Sequence, residues 1–252
     1  MQVFPQGPGA AGCASGAYAW SDDAVSCLSA PAGLVRMTGK QLSVYTSASD
    51  PDNGTLVVAA AGMSGSRHYG VSAGWTGSED APDTLRAAIS TARTIRGDPV
   101  GFMDGVFGPS ISIGTSLGYI SADDGSGGTS SMLSAELGFQ FSVFPTVAIG
   151  ADMSGIRLLG DRLGNRRVDY GFTTVFDKRF RGHFSVTDGN ASVGFELGVK
   201  DWLTVRSGSD GSSWNSGATL QLGWFELEWA VALDDADCRQ VFGMTFTREG
   251  GP

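Results

Sequence analysis

Large apolar residues take every second position in a series of short segments from about Lys40 to Glu249, most cleanly in Val193-Gly-Phe-Glu-Leu-Gly-Val199 and Phe225-Glu-Leu-Glu-Trp-Ala-Val-Ala-Leu233. The residues between them are glycine, alanine or ionisable. Each segment therefore predicts a β-strand with one apolar and one polar face. Fourteen strands are predicted, at about 40–47, 54–63, 67–77, 84–94, 110–121, 129–143, 146–158, 166–177, 180–187, 190–199, 202–208, 214–222, 224–233 and 238–248. In this phase Leu137, Phe139, Phe141, Val193, Phe195, Leu197, Trp229 and Phe242 share the apolar face. Glu136, Asp152, Asp169, Glu196, Arg206, Glu226 and Glu228 fall on the other, among Gly, Ser, Thr and Gln.

Two architectures accept such a pattern. In a soluble sandwich the apolar rows are the core and the charges the surface. In a transmembrane barrel the apolar rows face lipid and the charges line the interior. An even strand number and segments of roughly ten residues match a membrane barrel. So does the alternation of turns: SASDPDNG, GSEDAPD, SADDGSGG, LGDRLGNRR and SGSDGSSWN are long, whereas Phe144-Pro145, Lys200-Asp201 and Gly223 are tight. The long stretch 95–109 and the short TDGN at 187–190 depart from this alternation. The reading is an all-β, 14-stranded antiparallel transmembrane β-barrel over residues 33–252, preceded by a Gly/Ala/Ser-rich extension over 1–32 without alternation.

Composition adjusts this picture at a few points. Glycine contributes 38 of 252 residues, many inside the predicted strands, which fits a sheet that must bend or be approached closely. A net charge of -9 with no basic patch excludes nucleic acid as a partner. No uncharged apolar run is long enough for a membrane-spanning helix. Met1-Gln-Val-Phe-Pro5 has neither a basic nor an apolar signal region, so no signal peptide is expected in this numbering. Cys13 and Cys27 are spaced to close a short loop in an oxidising compartment, with buried small residues as the alternative.

Little in the sequence points to catalysis. His68 and His183 have no carboxylate or cysteine at motif spacing, so neither a triad nor a metal site is expected, and no cofactor is implied. Glu226 and Glu228 flank Leu227 on one face, a spacing that paired catalytic carboxylates share. Partnership with Arg206, Arg86 or the extension is the simpler role for charges inside a barrel. The acidic turns Asp50-Pro-Asp52, Asp123-Asp124 and Asp234-Asp235-Ala-Asp237 are either solvated or hold cations against lipopolysaccharide phosphates. Trp75, Trp202, Trp214, Trp224 and Trp229 fall mostly near strand ends, as an interfacial girdle requires, and Trp20 lies outside that pattern.

The stretch from Gly16 to Thr46 contains Asp22-Asp23-Ala24, then Pro31-Ala32-Gly33-Leu34, then Leu42-Ser-Val-Tyr45. This order resembles the start of FadL-type and PorV-like outer-membrane β-barrels, in which an acidic turn and an "NPAGL" element precede the first strand. Ala30 stands where that element has asparagine. The stretch from Trp224 to Phe246 is similar to the family's last hairpin. The resemblance implies a bacterial outer-membrane barrel whose residues 1–32, with Asp22, Asp23, Pro31 and Gly33, fold inside as a hatch. It also implies a non-enzymatic passive channel or carrier for hydrophobic or lipid-like molecules. A structural subunit of an envelope or secretion assembly, with protein partners or a homo-oligomer, is the alternative, and a soluble sugar-binding sandwich the third. Partners are then outer-membrane lipid or lipopolysaccharide and hydrophobic small molecules.

Overall fold

A computed structural model describes residues 24, 26–37, 39–50, 53–78, 81–97, 108–123, 128–144, 146–161, 163, 165–234 and 238–248. Fourteen strands close into one barrel: β1 (Lys40–Asp50), β2 (Asn53–Ser64), β3 (Arg67–Ser78), β4 (Ala81–Gly97), β5 (Ser110–Asp123), β6 (Thr129–Phe144) and β7 (Val147–Gly160) form one half. The other half is β8 (Arg167–Val175), β9 (Phe180–Thr187), β10 (Asn190–Lys200), β11 (Leu203–Ser209), β12 (Ser213–Leu222), β13 (Phe225–Asp234) and β14 (Cys238–Arg248). Every strand pairs antiparallel with its neighbours in sequence, and β1 pairs with β14 from Lys40↔Arg248 to Ala48↔Gln240. Closure leaves no unpaired sheet edge of the kind that makes open sheets aggregate.

The two faces sort as the alternation predicts. Val193, Phe195 and Leu197 are exposed on β10 while Ser192 and Glu196, of the opposite parity, are buried. On β6, Phe139 and Phe141 are exposed and Glu136, Gln140 and Ser142 buried. The exposed face is thus apolar and the buried face small or polar, the reverse of a soluble fold. Among the described residues no helix is long and apolar enough to cross a membrane.

We call the end holding the connections after odd-numbered strands upper, and the opposite end lower. The upper connections are shorter than their turn-like sequences predict. β1 runs on to Asp50 and β2 starts at Asn53, because pairing with β14 and β2 carries Ser47 and Ala48 into the ladder. Asp188-Gly189 joins β9 to β10 with φ of 51° and 83°, the left-handed pair that a two-residue hairpin needs. The longest connection, between β4 and β5, lies at the lower end, so loop length does not alternate from end to end. Trp202 and Trp224 stand in lower turns, Trp75 and Trp214 lie toward the upper end, and Trp229 sits mid-strand on β13. Trp224, Phe225 and Phe246 cluster at the lower rim with centroids 5.2–6.2 Å apart. Pro51, Asp52, Asp124, Asp235, Asp237 and Trp20 lie outside the described residues.

Candidate functional site

Residues 24 and 26–37, ahead of β1, pack against the inner wall of the barrel. A helical turn, Ser26–Ser29, leads into a 3-10 helix, Pro31–Arg36, which packs against β3, β4, β5 and β6. Proline at the start of the 3-10 helix supplies a fixed φ where no amide hydrogen is needed. Leu34, Val35, Met37 and Cys27 are buried in one cluster with Tyr45, Val57, Ala59, Ala61, Ala88, Ala92, Ala230 and Val241. These wall residues come from β13, β14, β1 and β2, on both sides of the β1–β14 seam, and from β4, while β3 between β2 and β4 buries His68 and Ser72. Full burial of side chains such as Leu34, Val35 and Met37 is worth about 1.5–3 kcal/mol each.

Glycine makes the close seat possible. A Cβ on Gly114 of β5 would stand 2.2 Å from the Ala32 nitrogen and 2.3 Å from the Pro31 carbonyl carbon. On Gly138 of β6 it would stand 3.1 Å from the Ala32 nitrogen, and on Gly70 of β3 2.9 Å from Cys27 Cβ. The segment therefore lies on bare backbone at three points. Hydrogen bonds add to this seat. The Ala24 amide donates to Gln41 Oε1 at 3.0 Å, Ser90 and Ser116 hydroxyls donate to the Cys27 carbonyl at 2.8 and 3.5 Å, and Arg36 Nε donates to Gln140 Oε1 at 3.0 Å.

Most of the remaining inner wall is polar, with Ile120, Met132, Ala148 and Val175 as apolar members. Arg181 Nη1 lies 2.6 Å from Glu196 Oε1, Arg206 Nε 2.8 Å from Glu196 Oε2, and Arg206 Nη1 3.7 Å from Glu228 Oε1. Arg206 also donates to Thr219, whose hydroxyl donates to Glu228 at 3.4 Å. Charges of alternating sign thus run across β9, β10, β11 and β13. A second group joins Arg86 to Glu136, and Arg167 Nε to Asp169 Oδ2 at 2.6 Å. Asp152, 3 % exposed, has no hydrogen-bond partner on either oxygen and lines a small pocket with Ala30, Ala32, Gly138 and Gln140. Paired charge is what a buried wall tolerates, and Asp152 is the member whose carboxylate lacks a donor.

Of the predicted polar face, Glu136, Asp152, Asp169 and Glu196 are buried, and Arg206 and Glu228 join Glu196 in one ion-paired group. Glu226 stands opposite Gln221 and Thr245, two residues from Glu228, and Glu228 shares Arg206 with Glu196. His68 and His183 are both inward and buried, His183 in a 2.9 Å hydrogen bond with Thr173. Pro31 and Gly33 lie in the 3-10 helix, while Asp22 and Asp23 are outside the described residues. Cys13 is also outside them, and Cys27 Sγ lies 2.9 Å from the Ala24 carbonyl oxygen. Sequence reasoning did not place Arg167, Arg181 or Thr219 in the polar wall. The inward parity of Arg167, two residues before Asp169, was the available signal. Among the described residues no group of three or more His, Cys, Asp or Glu is placed to hold a metal ion.

No protein-family model matches the sequence, and no curated protein matches it. The architecture does match solved structures. The chain superposes on the Ralstonia pickettii toluene transporter TbuX with a TM-score of 0.68 at 12 % identity, covering 98 % of this chain and 99 % of that one. It superposes on the Pseudomonas putida toluene transporter TodX at 0.70 and 9 % identity, covering 99 % and 100 %. A Pseudomonas aeruginosa FadL homologue matches at 0.60 and 11 % identity, covering 96 % and 98 %. The fold is that of FadL-type outer-membrane β-barrels.

Proposed function

We propose that this chain is a bacterial outer-membrane β-barrel through which small hydrophobic or lipid-like molecules pass without catalysis or energy input, with the segment ahead of β1 acting as a hatch. The observation that carries the reading is the inversion of the faces around a closed wall. Apolar side chains such as Phe139, Phe195 and Trp229 stand exposed all round, where only lipid removes them from water. The likeness of fold to toluene transporters supports a hydrophobic passenger. Liposomes containing the purified protein are expected to take up a small apolar solute faster than empty liposomes. Equal rates would sink the passage reading.

A second reading, a structural subunit of an envelope or secretion assembly, is favoured by one feature. The upper connections are short, for example Asp188-Gly189 and 161–166, and leave little chain for capturing a ligand. Stable co-purification with a protein partner, together with no solute uptake, distinguishes it.

A further inference from the structure

We infer that the outer face of β3 and β4 at the lower end holds the phosphate of an anionic glycerophospholipid, gripped by Arg67, Arg93 and Arg96. This rests on the reading of the outer face as the lipid face and is independent of what passes inside. Arg67 opens β3 and stands directly opposite Arg93 of β4. Both are exposed, and they share parity with the exposed Tyr69, Val71 and Trp75 on β3 and Leu85 and Ile89 on β4, so both belong to the outer face. Residues directly opposite in an antiparallel pair have Cβ atoms about 4.5–5.5 Å apart, and like charges there repel. A bulge after Thr94 then sets Arg96, also exposed, opposite Ile111, another outward residue. Three guanidinium groups thus gather on one patch.

The fold supplies this patch with no counter-charge. On β2 to β5 the carboxylates are Asp83 and Asp123, and both lie at the upper end. Among the described residues no ion pair reaches Arg67, Arg93 or Arg96, whereas elsewhere at the lower end Arg179 lies 3.6 Å from Asp201. An anion from outside completes the charge balance. The height of the patch says which kind. Trp75 follows Arg67 by eight residues along β3. At roughly 3.3 Å per residue and a tilt of about 40° that is ~20 Å of height, most of an apolar band about 25 Å tall. The arginines therefore stand at the lower border of the band, level with lipid headgroups, and Tyr69, Val71 and Ile89 continue from them along the path of the acyl chains. A phosphodiester offers free oxygens to more than one guanidinium fork. One compact group of arginines takes one phosphate, which fits a glycerophospholipid better than a lipid A that spreads its phosphates across a disaccharide.

Lipid retention tests this. The protein is released from nanodiscs of equal phosphatidylglycerol and phosphatidylcholine in native mass spectrometry, and the lipids that stay bound are counted. A parallel set contains phosphatidylcholine and lipid A. Wild type is expected to retain phosphatidylglycerol several-fold over phosphatidylcholine, with no such preference for lipid A. R67Q/R93Q is expected to bring the ratio near one, and Lys178→Gln, a lower-end cation away from the patch, to leave it unchanged. Arg93→Glu gives Arg67 the carboxylate that these strands lack. It is expected to abolish the preference while unfolding at higher urea than wild type in phosphatidylcholine, so loss of binding there is not loss of the fold. Equal ratios for wild type and R67Q/R93Q, an equal loss in Lys178→Gln, a preference kept in Arg93→Glu, or a preference for lipid A instead overturns the inference. Insertion is read separately by the gel shift between unboiled and boiled samples. A wild type that inserts into neither lipid mixture sinks the membrane reading and this inference together, while one that inserts without the preference sinks this inference alone.

Discussion

At the scale of single residues, the interior is governed by which charges have partners. Arg86 is paired with Glu136, whose second oxygen has no hydrogen-bond partner, and Asp152 nearby has none at all. Arg86→Ala therefore leaves two neighbouring carboxylates without this cation, and is expected to cost about 3–5 kcal/mol. Urea unfolding followed by the gel shift measures it, and a cost under about 1 kcal/mol would mean that water reaches the pair. Asp210 sits outside the strands, in the β11–β12 connection. Partial burial pushes its carboxyl up, but donation from the Ser213 amide at 2.7 Å and from the Ser212 hydroxyl and amide outweighs it, holding it below the ordinary 3.8. A depressed carboxylate stabilises the folded turn at pH above that ordinary value. The contribution is lost as pH falls below it and through the depressed value. Amide protection at Ser212 and Ser213 is expected to fall over that acid range, and Asp210→Ala to remove the pH dependence.

At the scale of the strand, the outer face is the testable element. Phe195 lies mid-strand on β10, exposed and stacked on Phe180 at 5.8 Å. Phe195→Arg is expected to cost about 2–4 kcal/mol in vesicles, as for a cation near the bilayer midplane. A cost near zero would say that this face meets water. The strands were legible because Val193 to Val199 and Phe225 to Leu233 alternate over many residues. The upper connections were not, because Ser and Asp carry turn chemistry even where a partner strand holds them in a ladder, as at Ser47↔Thr55. Parity put Glu196 and Arg206 on the inner face, but not the pairing of Arg181 with Glu196. That depends on the register across the β9–β10 turn. The seat under Ala32 was unreadable for a further reason. Gly114 and Gly138 are more than eighty residues away in sequence, and nothing local marks them as different from the other glycines of the sheet.

For the molecule as a whole, face inversion, closure and the inner segment belong together. A closed wall of fourteen strands is too wide for its own small inward side chains to fill, so a barrel of this size encloses either a passage or added chain. Here part of that space is taken by residues 24 and 26–37, anchored to one side of the wall. The polar arc on the other side gives the interior two chemistries, one suited to water and one to hydrocarbon.

The seam between β1 and β14 also fixes an order of events in biogenesis. The strand that seals the wall is the last one made, and it closes on the strand that immediately follows the inner segment. Nearest-neighbour hairpins can form early, whereas the joint at Lys40↔Arg248 waits for the whole chain and spans the largest sequence separation in the fold. Until that joint forms, Leu34 and Met37 face an open sheet rather than an enclosed cavity. Seating against β3, β4, β5 and β6 needs no closure, whereas burial of Leu34 and Met37 beside residues of β1, β2 and β14 waits for it.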